Sequence, residues 1–90
     1  MTRRVRVLVS GGVQGVGYRW YCREEAMAAG LAGSVRNLPD GRVEAFFEGS
    51  HDGVEALLDW CRHGPRMAAV SGIEVEELDP VGDDGFAIGR

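Results

Sequence analysis

The chain has 90 residues, enough for one domain around one hydrophobic core. Its 44% apolar content is ordinary for a folded domain and excludes a disordered chain, while no apolar run is long enough to span a membrane. The formal net charge of −4 argues against a general nucleic-acid binder.

The charges are unevenly spread. All basic residues are arginine, and Arg3, Arg4, Arg6, Arg19 and Arg23 crowd the first quarter. Acids gather at Glu74, Glu76, Glu77, Asp79, Asp83 and Asp84. This asymmetry fits a small anion site on an acidic body, or ordinary surface charge equally well. The basic start, Met1-Thr2-Arg3-Arg4, leads into a patterned strand and not into an apolar signal core. The expectation is one cytoplasmic domain over residues 1–90, with a monomer as the default and no membrane or nucleic-acid partner.

In chain order, Val5, Val7 and Val9 alternate with Arg4, Arg6, Leu8 and Ser10, which predicts a strand with one buried face. A glycine-rich loop follows. Residues Tyr18 to Ala29 then carry an apolar stripe of Tyr18, Cys22, Ala26 and Ala29 at helical spacing. Gly30 supplies a left-handed cap, and Leu31 can fold back on the last turn. Gly33 to Leu38 reads as a second strand, Pro39-Asp40-Gly41 as a turn, and Arg42 to Glu48 as a third strand with Val43, Ala45 and Phe47 on one face. Ser50 is a candidate N-cap with Asp52 in the following turn. Val54, Leu57, Leu58 and Cys61 then keep the i, i+3, i+4, i+7 pattern until Gly64-Pro65 ends the helix. Trp60 falls one step off that stripe, at the edge of the core. Val70 to Leu78 contains a fourth strand with Ile73 and Val75 on one face, and Phe86-Ala87-Ile88 a short last one.

The order βαββαβ with a terminal strand predicts an α+β split βαβ sandwich: one antiparallel sheet with two helices on one face. That topology serves many functions and decides none of them. Cys22 and Cys61 lie on apolar helix stripes, with no CxxC and no cysteine–histidine cluster, so they read as small buried hydrophobes. His51 and His63 flank the second helix and read as surface or capping residues. No carboxylate cluster marks a magnesium site, and no metal or cofactor is expected.

The stretch Ser10 to Arg19 carries the chemistry. Gly11, Gly12, Gly15 and Gly17 fall within seven residues between a strand and a helix. Such a loop can turn its N–H groups inward as a cup, and the helix dipole behind it favours an anion, phosphate above all. Arg19 then stands in the first helical turn, where a cation is unfavourable on dipole grounds. A guanidinium aimed at a bound oxyanion explains the choice. The plainer reading is a strand-to-helix turn whose glycines only relieve crowding. The spacing is not G-x-G-x-x-G, and Tyr18 and Arg19 occupy the places that a Walker motif gives to Lys and Ser or Thr. Asn37, just before the turn at 39–41, is either a turn residue or an amide holding a water beside a bound phosphate.

Gly11-Gly12-Val13-Gln14-Gly15-Val16-Gly17-Tyr18-Arg19 is similar to the acylphosphatase signature G-x-V-Q-G-V-x-[FY]-R. Gly33-Ser34-Val35-Arg36-Asn37 resembles that family's second segment, G-x-V-x-N, and Asp40-Gly41-Arg42-Val43-Glu44 follows it. Gly49, Gly64-Pro65, Ala69, Val70 and Phe86-Ala87-Ile88 also fall where family members have them. The resemblance implies a ferredoxin-like sandwich that hydrolyses acyl phosphates to carboxylate and inorganic phosphate. It implies phosphate binding by Arg19 and by the loop Gln14, Gly15, Val16, Gly17 and Tyr18, and water positioning by Asn37. Gly12 and Ser34 depart from the usual residues, basic or polar at the first position and aromatic at the second.

The chemistry asks for little. A carboxylate leaves readily, and phosphoryl transfer depends mostly on positioning and on charge stabilisation. With no cysteine or aspartate nucleophile in the loop, direct attack by water is the simpler route. Two other classes share the topology. An idle anion-binding or regulatory domain would keep the loop without needing Asn37. An RNA-binding domain would want exposed aromatics and a basic face, which Arg6, Leu8, Glu44, Phe46 and Glu48 supply poorly.

Overall fold

The alternating stretch Thr2–Gly12 forms the longest strand, β1, hydrogen-bonded on both sides. In the computed structural model, which describes residues 1–89, it is followed by helix α1 (Tyr18–Ala28), strands β2 (Ala32–Asn37) and β3 (Val43–Ser50), helix α2 (His51–His63), and strands β4 (Ala69–Leu78) and β5 (Phe86–Ile88). The five strands form one sheet in the order β4-β1-β3-β2-β5. The pairs β1–β3, β1–β4 and β2–β3 are antiparallel, as expected. β5 runs parallel to β2, so the sheet is mixed. The path of the chain explains this: residues 79–85 cross one end of the sheet from the β4 edge to the far edge, and the chain enters there in the direction of β2.

The alternation along the strands sorts their two faces. Val5, Val7, Val9, Val35, Val43, Ala45 and Phe47 are fully buried on one face. Both helices cover that face. Helix α1 contributes Tyr18, Cys22 and Ala26, and α2 contributes Val54, Leu57, Leu58 and Cys61. Gly30 and Leu31 close α1 as anticipated: the Gly30 amide donates to Met27 O (3.0 Å) and the Leu31 amide to Ala26 O (2.9 Å). Trp60 is half-buried at the core edge. Val75 departs from expectation. It points to the covered face opposite Val7 yet is 41% exposed, because β4 is an edge strand with β1 alone beside it.

The opposite face is closed by ion pairs. Glu44 accepts from Arg6 and Arg36 at 2.7 Å each and is itself buried. Glu48, also buried, accepts from Arg4 (3.0 Å) and from the amides of Val81 (3.0 Å), Gly82 (2.9 Å) and Asp83 (3.0 Å). The Val81 amide, with Arg4 and the neighbouring amides, holds the Glu48 carboxyl below its usual range despite burial. The Arg4 guanidinium lies over the Phe46 ring, 5.1 Å from its centroid. That ring is half-buried beneath the guanidinium.

Candidate active site

The register places two distant segments at one end of the sheet. Val9, near the end of β1, pairs with Val43, and Val43 pairs with Asn37. Asn37, the last residue of β2, therefore lies two strands from the point where β1 runs into the glycine loop. On the pleat it shares the face of Val35, the helix face. The end of β5 arrives at the same place, where the Gly89 amide donates to Val35 O (2.8 Å).

The loop between β1 and α1 is fastened at three points. Val13 is buried, Val16 packs against the core, and Tyr18 is buried with its hydroxyl donating to Cys61 O (3.0 Å) and its ring 5.0 Å from that of Trp60. Burial pushes the Tyr18 phenol upward, which suits a structural hydroxyl. Gln14, Gly15 and Gly17 face solvent between these anchors. Gly15 and Gly17 take left-handed φ values of 75° and 79°, a region that side chains disfavour. A Cβ at Gly17 would in addition meet the Tyr21 ring at 3.2 Å.

Gly17 is the N-cap of α1, and no side chain caps this helix and no acid stands in its first turn. Among the described residues no acceptor meets the amides of Gln14 to Gly17. The first helical amides likewise have no partner inside the helix. A cavity of about 190 Å³ opens in front of them, lined by Val13, Gly15, Gly17, Tyr18, Arg19, Trp20, Asn37 and Ile88. Backbone donors, a helix N-terminus and one guanidinium thus converge on a single space, an arrangement suited to a phosphoryl group. Arg19 donates through Nη1 to Gly89 O at 2.8 Å, which steadies the guanidinium.

Arg19, Gly15, Gly17, Tyr18 and Asn37 are brought together around this cavity. Gln14 and Val16 belong to the loop but do not line it. The Gln14 side chain turns toward the β2–β3 turn and donates to Leu38 O (2.8 Å) and Arg42 O (3.0 Å). Sequence reasoning missed that turn of the side chain, and it missed the roles of Trp20, Ile88 and Gly89. Trp20 is an exposed apolar residue whose adjacency to Arg19 was the available signal, whereas Ile88 has no such neighbour in sequence and only β5 pairing brings it and Gly89 to Arg19. Cys22 and Cys61 are free and buried. The neighbouring Cys61 thiol and burial push the Cys22 thiol well up, so it is a packing group and not a nucleophile. His51 and His63 are exposed, away from the cavity. Among the described residues no three His, Cys, Asp or Glu side chains converge as metal ligands, and no helix is long and apolar enough to cross a membrane.

The family model described as Acylphosphatase matches residues 5–88. A protein of Trichormus variabilis named acylphosphatase is 52% identical over 87 residues, covering 97% of this chain and 86% of that one. One from Rubrobacter xylanophilus, of the same name, is 59% identical over 76 residues, covering 84% of this chain and 69% of its own. Among solved structures, an acylphosphatase from Coxiella burnetii superposes with a TM-score of 0.94 at 36% identity, over 98% of this chain and 93% of that one. The acylphosphatase of Bacillus subtilis gives 0.94 at 35% identity, with both chains fully covered.

Proposed function

The chain belongs to the acylphosphatase family and is an enzyme of acyl phosphate hydrolysis, and from that premise we propose a division of labour within its cavity. The amides of the loop Gln14 to Tyr18, with Arg19, hold the phosphoryl group. Asn37 places the attacking water. The observation that carries this reading is the shared cavity, in which Arg19 and Asn37 face the same space as Gly15 and Gly17.

In the reaction, the water oxygen bonds to phosphorus while the bond from phosphorus to the acyl oxygen breaks. The carboxylate leaves with that electron pair. Charge on the equatorial oxygens is met by the loop N–H groups and by the fork of Arg19. The Asn37 amide does not titrate in water, so it orients the nucleophile and does not deprotonate it. A phosphate oxygen of the substrate takes the proton. The same reading takes the enzyme as a cytoplasmic monomer acting on small acyl phosphates, with no nucleic-acid partner.

The test is hydrolysis of benzoyl phosphate by the wild type, Arg19→Ala and Asn37→Ala, each checked for folding by circular dichroism. Arg19→Ala should abolish turnover. Asn37→Ala should lower kcat with KM nearly unchanged. Direct binding of inorganic phosphate by the wild type, without any hydrolysis of benzoyl phosphate, would point instead to an idle anion-binding domain.

A further inference from the structure

The two halves of the site come from separate segments, and one side chain ties them together. Gln14 Nε2 uses both of its hydrogens, donating to Leu38 O at 2.8 Å and to Arg42 O at 3.0 Å. These carbonyls stand on either side of the turn at 39–41. The mouth of that turn is already closed by its own bonds: the Leu38 amide donates to Arg42 O (2.8 Å) and the Gly41 amide to Leu38 O (3.1 Å). Gln14 therefore grips a stiff unit, and Asn37 is the residue immediately before it.

We propose that the Gln14 side chain is a positioning residue, which sets the separation between the phosphate cup and the Asn37 amide. The inference rests on the water-positioning role of Asn37. The side chain has no N–H left for a phosphate, and its carbonyl oxygen would repel one. Only the backbone of Gln14 is free to serve the cup. Nor is the side chain a packing group. It is exposed, so removing it opens no core cavity, and its hydrogen bonds compete with water. What it does control is geometry. A long flexible side chain held at both hydrogens keeps the loop at one distance from the end of β2. The attacking water must lie in line with the bond to the leaving group, and small displacements of such a nucleophile lower the rate steeply.

A double-mutant cycle tests this with benzoyl phosphate as substrate and inorganic phosphate as inhibitor. Gln14→Met keeps the length of the side chain and removes both donors. It should lower kcat about tenfold, leave phosphate inhibition within about twofold of wild type, and leave the melting temperature unchanged. In the Asn37→Ala background the same change should lower kcat by less than about twofold, because the group being positioned is gone. Gln14→Glu sets a carboxylate against two carbonyls and should lower kcat more than Gln14→Met does. Wild-type kcat in Gln14→Met overturns the inference. So does an equal loss in both backgrounds, which is what a general loosening of the fold would produce. So does a loss seen chiefly in phosphate inhibition, which would make the side chain a ligand. Wild-type kcat in Asn37→Ala alone overturns the water-positioning role itself, and that result is read without any Gln14 variant.

Discussion

The two helices begin in opposite ways. Helix α2 starts at Ser50, whose hydroxyl accepts from the Gly53 amide (3.0 Å), and Asp52 stands at its second position. Helix α1 starts at Gly17, which offers no side chain, and Arg19 stands at its second position. One N-terminus is satisfied by the chain, with an acid where the dipole favours it. The other is left bare and carries a cation that the dipole opposes. A third cluster of amides, at Val81, Gly82 and Asp83, is filled by the chain's own Glu48. Where this chain gathers donors for structure it supplies the acceptor. Before α1 the described residues supply none, and the acceptor expected there is the substrate.

The largest effect should come from Arg19→Ala, which lowers turnover on the order of 10³-fold or more while the fold persists, since this arginine is not part of the core. Arg19→Lys keeps the charge and loses the planar fork, so its turnover should also fall sharply. Near-normal hydrolysis by folded Arg19→Ala would make the two helix starts functionally alike.

Next comes Asn37→Ala, with a loss in kcat of about 10²–10³, roughly 3–4 kcal/mol, and little change in KM. Asn37→Asp sharpens the point by placing a carboxylate beside the phosphate, so steady-state kinetics should show KM rising as well. A raised KM with intact kcat in Asn37→Ala would make Asn37 a substrate ligand.

Trp20→Glu makes α1 resemble α2 by adding an acid to its first turn. KM and the phosphate inhibition constant should both rise, by about tenfold, equal to about 1.4 kcal/mol of binding. Unchanged phosphate inhibition would remove the helix N-terminus from the site.

Glu48→Gln probes the filled cluster. The native carboxyl titrates below its ordinary 4.5, so its contribution is present above that pH and is lost as pH falls through the lowered value. Denaturant unfolding should show Glu48→Gln less stable than wild type at neutral pH, with the gap closing in acid. A gap independent of pH would show that the charge is not what matters.

The smallest effect belongs to Ser50→Ala, about 1 kcal/mol in unfolding free energy with kcat unchanged. A loss of activity there would break the contrast between the structural and the functional helix start.

Much of this was legible in the chain. The period-two valines of β1 and the stripe at Val54, Leu57, Leu58 and Cys61 depend only on local geometry, because a strand or helix repeats every two or 3.6 residues wherever it sits. The caps at Ser50 and Gly30 were legible for the same reason. The glycine loop with Arg19, and Asn37 before its turn, were visible as chemically odd choices at known places. The sequence by itself thus determined the elements, their order and the bare start of α1, and it offered Arg19 and Asn37 as candidates for the chemistry.

The tertiary structure alone decided how these meet. Asn37 comes level with the loop only through the register of β2 on β3 and of β3 on β1. Gly89 reaches Arg19 only because β5 pairs beside β2 after crossing the end of the sheet. Gln14 turns from the phosphate cup to the β2–β3 turn because the fold brings two backbone carbonyls there within reach of its side-chain donors. Val75 stays exposed because no second strand lies beyond β4. Each of these depends on which segments become neighbours. Periodicity and caps describe a segment against its own axis, so they carry no information about that choice.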